Sequence, residues 1–156
     1  MKLHLLRHAK TERHADSMQD FDRKLVLRGV EQSKDMAKYL ENKVAGLDCF
    51  CSDATRTQET YHYLSERIKM GQLHLRHELY LTSYRDYLAL LWRNNEKKDL
   101  LLIGHNFGIS DLAGYLIDEE VELRTCEYMC IEFDVEEWLH TSRATGSLID
   151  HYRPSF

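Results

Sequence analysis

Hydrophobic residues recur along the chain in two ways: as short continuous runs and as longer stretches with helical spacing. The short runs predict six strands, over residues 3–6, 47–51, 73–76, 99–103, 127–133 and 147–150. Apolar positions three and four apart predict four helices, over residues 29–43, 54–68, 84–92 and 109–117. Ser52 and Asp53 precede the second helix and are predicted to cap it. Strands that alternate with helices predict an α/β sheet with helices on its faces.

Composition and charge limit the classes of partner. The chain of 156 residues is 43% hydrophobic and 30% charged, with a formal net charge of -5. An acidic balance argues against nucleic acid and anionic membranes as partners, since both attract clustered Lys and Arg. No apolar run reaches the roughly 20 residues that span a bilayer, so we expect a cytoplasmic protein without a membrane partner. Any phosphate recognition must come from a few locally gathered arginines.

Four cysteines occur in two close pairs, Cys49 with Cys51 and Cys126 with Cys130. In a cytosolic protein they are expected to be reduced thiols. A zinc site is the alternative, but C-x-C combined with C-x-x-x-C is not the usual ligand spacing. Cys49 and Cys51 also lie in a predicted strand, where buried cysteine is common. We therefore expect no metal and no other cofactor.

Polar residues follow three of the predicted strands. Arg7 and His8 follow the first strand, Ser52 and Arg56 follow the second, and His105 follows the fourth. Ligands of open α/β sheets bind beyond the carboxyl ends of the strands. Any one of these histidines could be a structural residue, and an arginine at a helix start is usually a surface charge. If the three strands are neighbours, however, two histidines and two arginines converge, and they do not bury well together without an anion.

The chemistry of these residue types fits a phosphoryl group. Arg7 and Arg56 offer paired donors for phosphate oxygens and keep their charge at any working pH. A neutral His8 can attack phosphorus to form a phosphohistidine, and His105 can stabilise the transferring group, most effectively when protonated or well hydrogen-bonded. Positive charge from the arginines should lower the pKa of His8. The fixed charges replace the metal ion used in other phosphoryl transfers.

Three motifs resemble those of the histidine phosphatase superfamily. The sequence Leu6-Arg7-His8-Ala9-Lys10 is similar to its R-H-G or R-H-A signature, and a G-H-N segment occurs over residues 104–106. The S-x-A-x-R-T block appears over residues 52–57, with Asp53 where proline is common. The D-x-x-R-x-L-x-x-x-G segment over residues 20–29 resembles the short SixA-type phosphohistidine phosphatases.

The resemblance spans nearly the whole chain and implies a phosphoglycerate-mutase-like fold. That fold is a single three-layer α/β domain, here over residues 1–156, with a mostly parallel central sheet. It implies four catalytic residues: His8 as the nucleophile, with Arg7, Arg56 and His105. Ser52, Asn106 and Arg23 are further candidates for substrate binding, although an ion pair of Arg23 with Asp20 or Asp22 is equally compatible with the sequence. Glu78 is the nearest candidate for a proton donor, in surroundings unlike those of the larger branches.

A SixA-type relationship implies a phosphatase that acts on a phosphate-bearing substrate such as a phosphohistidine-carrying protein. The short connection between Arg56 and His105 leaves little room for an inserted lid, which favours a phosphate presented on a protein surface. Two alternatives stay open. One is a small-molecule phosphomonoesterase or mutase on the same fold, which would need a working acid such as Glu78. The other is a non-catalytic phosphate-binding module.

Overall fold

The computed structural model describes residues 1–155 and places a six-stranded sheet between two pairs of helices. The strands are β1 (Lys2–Arg7), β2 (Asp48–Ser52), β3 (Leu73–Arg76), β4 (Leu100–Gly104), β5 (Tyr128–Phe133) and β6 (Gly146–Tyr152). The helices are α1 (Leu27–Leu40), α2 (Thr55–Ser65), α3 (Tyr84–Arg93) and α4 (Gly108–Ile117). Single 3₁₀ turns lie at Asp20–Asp22, His77–Leu79 and Trp138–His140. None of the helices within residues 1–155 has the length and apolar character needed to cross a membrane.

The strand order brings the three predicted site strands side by side. It runs β3-β2-β4-β1-β5-β6, with the first four strands parallel. β5 pairs antiparallel with β1, and β6 pairs antiparallel with β5. The predicted α/β fold with a mostly parallel sheet is confirmed. Since β2, β4 and β1 are adjacent and parallel, their carboxyl ends meet at one edge of the sheet.

The two faces of the sheet carry separate hydrophobic cores. Leu3 and Leu5 of β1 pack on the face covered by α3 and α4, whereas Leu6 packs on the face covered by α1 and α2. This follows from the alternation of side chains along a strand. His4 points to the same face as Leu6, where its Nδ1 lies 2.7 Å from the hydroxyl of Tyr128. The polar side chain of His4 thus lies within the hydrophobic core between the sheet and helices α1 and α2.

The boundaries of α1 and α2 differ most from the sequence prediction, and α2 ends at Ser65, three residues earlier than predicted. α1 begins two residues earlier than predicted and ends at Leu40. α2 begins at Thr55, and Ala54 occupies the N-cap position without a side-chain cap. Asp53 does not cap the helix, because its carboxylate contacts the ring of His77, with Nδ1 and Oδ1 3.0 Å apart. Ser52 does contribute there, since its Oγ accepts a hydrogen bond from the Ala54 amide at 3.3 Å.

A glycine in α1 fixes the chain that follows β1. A side chain at Gly29 would place its Cβ 2.1 Å from the carbonyl oxygen of Lys10, so only glycine allows this approach. The amide of Lys10 also donates to Gln32 Oε1 at 3.0 Å. The segment just after His8 is thus held against the first turns of α1, and the strand end is kept in a defined position.

Candidate active site

His8 lies beyond β1 with one ring nitrogen already engaged. His8 is 5% exposed, and its backbone amide donates to the Gly104 carbonyl at 3.1 Å. The ring Nδ1 lies 2.8 Å from the carbonyl oxygen of Ala9. A carbonyl oxygen only accepts, so Nδ1 must carry the hydrogen. The lone pair is therefore on Nε2, which is the nitrogen able to attack phosphorus.

His105 lies beside His8 at the end of β4. The two ring centroids are 5.3 Å apart, and His105 is 1% exposed. Its Nε2 lies 2.8 Å from Ser52 Oγ, while its buried Nδ1 has no partner among residues 1–155. Because Ser52 Oγ already accepts from the Ala54 amide, its own hydrogen is free to be donated to Nε2. This pattern favours the tautomer in which Nδ1 of His105 carries a hydrogen for a ligand.

Two arginines complete the cluster. Arg56, in the first turn of α2, is 1% exposed, and Arg7 donates from Nη1 to the carbonyl of Leu123 at 3.0 Å. Burial and, secondly, the charge of Arg56 lower the pKa of Arg7, which places the two guanidinium groups within electrostatic reach. The Nε atoms of both arginines are buried and, like Nδ1 of His105, have no partner in the described chain. Buried donors are normally satisfied, so this group of donors fits an anion such as phosphate.

The pKa values of both histidines are lowered. For His8 the largest cause is burial, followed by His105, with Arg56 and Arg7 contributing less. The predicted direction is confirmed, but burial outweighs the arginines as its cause. For His105, burial and then Arg56 lower the pKa to about 3. His105 is therefore neutral near pH 7 in the free site, so in this state it acts as a hydrogen-bonding group and carries no charge.

A carboxylate occupies the same cluster, which the sequence analysis did not place there. Arg56 donates from Nη1 to the backbone oxygen of Asp20 at 2.8 Å and from Nη2 to its Oδ2 at 3.1 Å. Arg23 Nε lies 3.0 Å from Oδ1 of Asp20, so the predicted ion pair of Arg23 is with Asp20 and not Asp22. Asp20 pairs with both Arg23 and Arg56, so the ion pair places Arg23 beside the arginine of the cluster. The ion pair of Arg23 therefore does not conflict with a position near the phosphate site.

Tyr80 is a second residue that sequence reasoning missed. Its hydroxyl donates to Asp20 Oδ2. Its ring packs edge-on against His105, with centroids 5.5 Å apart, and lies 5.8 Å from the guanidinium carbon of Arg56. The sequence analysis named Glu78 from the segment after β3, but Tyr80, two positions later, is the residue that packs against the site.

The last two predicted site residues, Asn106 and Glu78, lie in different surroundings. Asn106 donates from Nδ2 to the Leu123 carbonyl at 2.9 Å, the same oxygen that Arg7 contacts. Glu78 is not joined to the cluster, because its carboxylate pairs with Arg93 Nη2 at 3.0 Å on the exposed surface.

No group of three or more His, Cys, Asp or Glu side chains within residues 1–155 is arranged to hold a metal ion. The four cysteines are buried free thiols.

Comparisons with known proteins identify the family and the fold. The family model of the histidine phosphatase superfamily (branch 1) matches residues 3–99 of the chain. A comparison with curated protein sequences finds no match.

Similar solved structures cover almost the entire chain. A candidate phosphohistidine phosphatase SixA from Nakamurella multipartitia is 21% identical, with a TM-score of 0.85 over 99% of this chain and 96% of that one. A candidate SixA from Agrobacterium tumefaciens is 22% identical, with a TM-score of 0.84 over 98% and 97%. Phosphoserine phosphatase from Entamoeba histolytica is 14% identical, with a TM-score of 0.63 over 99% and 98%. At these identities the likeness shows a shared fold.

Proposed function

Because the chain belongs to branch 1 of the histidine phosphatase superfamily, and is a phosphatase by that membership, we propose that it hydrolyses phosphohistidine on proteins without a metal ion. The observation that carries this proposal is the state of His8. Its Nδ1 is bound to the Ala9 carbonyl, so Nε2 presents its lone pair beside His105, within reach of the charges of Arg7 and Arg56.

The reaction proceeds in two displacements. Nε2 of His8 forms a bond to phosphorus while the bond from phosphorus to the substrate nitrogen breaks. Arg7, Arg56 and the Nδ1 hydrogen of His105 stabilise the charge on the transferring oxygens. Water then attacks the phosphohistidine at His8, which releases inorganic phosphate and restores the neutral ring. Lowered pKa values keep both histidines neutral at the start of each cycle.

The place of Glu78 supports a phosphorylated nitrogen as substrate over a phosphate ester. An alkoxide leaving group needs a proton from the enzyme, whereas a phosphohistidine ring protonated on its other nitrogen leaves as neutral imidazole. Glu78 is paired with Arg93 at the surface, and Asp20 has its pKa lowered and is held by Arg56, Arg23 and Tyr80. Neither carboxyl group is placed to supply that proton.

The similar structures include proteins named for phosphohistidine and for phosphoserine, which is why the small-molecule phosphomonoesterase stays the second candidate.

The four buried free thiols suit a reducing compartment, which supports the cytoplasm as the place of action.

A substrate screen tests the proposal. Purified enzyme is assayed with phosphohistidine-carrying proteins, free phosphohistidine, phosphoserine and sugar phosphates, each with and without EDTA. We expect the highest kcat/KM on phosphohistidine and no loss with EDTA. His8→Ala serves as the inactive variant, and His62→Ala, at an exposed histidine of α2, serves as its matched control. Preference for esters would favour the second candidate, and absence of any turnover would favour a binding module.

A further inference from the structure

A groove runs beside the candidate active site along α4. It has a volume of about 720 Å³, and its walls are α4 and the segment over residues 119–122. It contains three aromatic side chains, Tyr84, Phe107 and Tyr115, and four carboxylates, Asp111, Glu119, Glu120 and Glu122. None of these residues belongs to the cluster around His8. The groove therefore needs an explanation of its own.

Hydrogen bonds connect the groove to the catalytic cluster. The Leu123 carbonyl accepts from both Arg7 and Asn106, and its amide donates to Ser110 Oγ at 2.8 Å. Ser110 Oγ in turn donates to Asn106 Oδ1 at 2.5 Å. The wall of the groove is thus linked through Leu123 to the arginine at the phosphate site. A molecule lying in the groove would contact Ser110, which bonds to the same Leu123 that holds Arg7.

The lining of the groove exposes apolar surface. Phe107, two residues after His105, is 71% exposed. The rings of Tyr84 and Tyr115 contact each other in the groove, tilted by 33°, with centroids 5.1 Å apart. Exposed apolar patches and aromatic side chains are common features of protein-binding surfaces.

The described residues that line the groove include four carboxylates and no Lys or Arg. No Lys or Arg occurs in the sequence between Lys98 and Arg124. Asp118 pairs with Arg143, but the four groove carboxylates form no ion pair with any residue in the range 1–155. Such a surface repels a small phosphate anion and attracts a cationic one. A phosphate substrate that passes beside this groove must bring positive charge with it.

We propose that the groove is the docking surface for a protein substrate whose phosphohistidine is flanked by lysine or arginine and by an apolar side chain. The cations contact the carboxylates of Asp111, Glu119 and Glu120, and the apolar side chain packs on Phe107. The inference rests on the proposed function, because it names the kind of substrate that function would use. It also explains how a site specialised for anions can select a protein over free phosphate compounds.

Charge-neutral variants test the groove. In the groove variant, Asp111→Asn, Glu119→Gln and Glu120→Gln are combined, and the three residues are exposed. In the control variant, Glu132→Gln, Asp134→Asn and Glu136→Gln remove three exposed charges at and beyond the end of β5. Because β5 is antiparallel to β1, these positions lie at the opposite end of the sheet from His8. Both variants change the net charge equally.

The probes are two synthetic peptides, each with one histidine phosphorylated by phosphoramidate. One peptide surrounds that histidine with lysine and leucine, and the other replaces the lysines with glutamate. We expect wild-type enzyme at low salt to prefer the lysine peptide in kcat/KM by on the order of 10-fold. The groove variant should lose most of that preference and keep its turnover of free phosphohistidine. The control variant should behave as wild type.

Two results separate this inference from the proposed function. Binding of the unphosphorylated lysine peptide is measured by NMR, with shifts expected at Phe107 and Tyr115 in wild type and in His8→Ala but not in the groove variant. Peptide binding without any turnover of phosphohistidine would contradict the proposed function and leave the groove supported. Turnover without a preference for the lysine peptide, or a preference that survives in the groove variant, would overturn the docking surface.

Discussion

Asp20 and Arg56 form an ion pair inside the cluster that the sequence assigns to phosphate. Oδ2 of Asp20 accepts from Nη2 of Arg56 at 3.1 Å, and the Asp20 backbone oxygen accepts from Nη1. The same carboxylate is bound by Arg23 and Tyr80. Asp20 therefore holds Arg56 in place and also competes with phosphate for its charge. Substitution at Asp20 separates these two effects.

For Asp20→Asn we expect tighter binding of inorganic phosphate, by a few-fold. The amide oxygen can still accept from Arg56, and the backbone contact is unchanged, while one negative charge leaves the cluster. The inhibition constant of phosphate in a turnover assay is the measurement. Asp22→Asn is the matched control, because Asp22 is exposed and forms no ion pair with the rest of residues 1–155. Weaker phosphate inhibition in Asp20→Asn would mean that its charge is needed to position Arg56.

Ser52→Ala tests whether Ser52 binds substrate or positions His105. The hydroxyl lies 2.8 Å from Nε2 of His105, in a fully buried position. If it sets the tautomer of His105, kcat should fall on the order of 10-fold with little change in KM, since the lost interaction acts in the transition state. Ser65→Ala, at the end of α2, is the control. A rise in KM alone would return Ser52 to the role of a substrate ligand.

Arg56→Gln should lower kcat/KM on the order of 100-fold or more, because it removes a charge-assisted contact to the transferring oxygens. It should also raise the pKa of His8, since a positive neighbour is lost. Burial is the larger cause of the lowered pKa, so the His8 ring should still titrate below the ordinary value of 6.5. NMR titration of the histidine ring protons in the free protein measures this, and circular dichroism checks the fold. If Arg56→Gln leaves the His8 pKa unchanged, Arg56 does not lie close enough to His8 to act on its charge, and the proposed cluster is wrong.

His4 should make the protein sensitive to acid independently of catalysis. Burial, the largest cause, lowers its pKa from 6.5 to about 4 in the folded protein. Between these values the unfolded chain binds a proton that the folded chain does not, so stability is complete above about pH 6.5 and falls as pH decreases toward 4. The loss for one such group is on the order of 3 kcal/mol at the acid end.

The pH dependence of urea unfolding shows this contribution. His4→Phe should weaken the decline of unfolding free energy between pH 6.5 and 4, although His8 and His105 still contribute in the same direction. The exposed His140→Phe variant should decline as wild type does. An equal slope in His4→Phe and wild type would show that folding does not lower the pKa of His4.

Local patterns predicted the elements of the fold because each strand and helix is encoded by its own hydrophobic spacing. The positions of His8, Arg56 and His105 followed from the rule that ligands bind beyond the carboxyl ends of strands. The strand order that joins them depends on long-range pairing, which no local pattern encodes. Asp20 and Tyr80 were missed for the same reason, since they are 60 residues apart and meet only through the fold.

Glu78 shows where reasoning from residue type alone is insufficient. A carboxylic acid after β3 was the expected kind of proton donor, but its exposed side chain pairs with Arg93 of α3. Which of three successive residues in the turn His77–Leu79 points inward is decided by packing. There Leu79 is buried, and Glu78 faces solvent.

Rapid-quench labelling of the enzyme with a phosphorylated substrate tests the central claim most directly. During turnover we predict an acid-labile, base-stable phosphoryl group on His8, attached at Nε2 because Nδ1 is bound to the Ala9 carbonyl. Peptide mapping locates the label, and phosphorus–proton NMR correlation identifies the nitrogen. His8→Ala should show no label, and His62→Ala should label as wild type does. Turnover without label on His8, or a phosphoryl group on its Nδ1, would contradict the account.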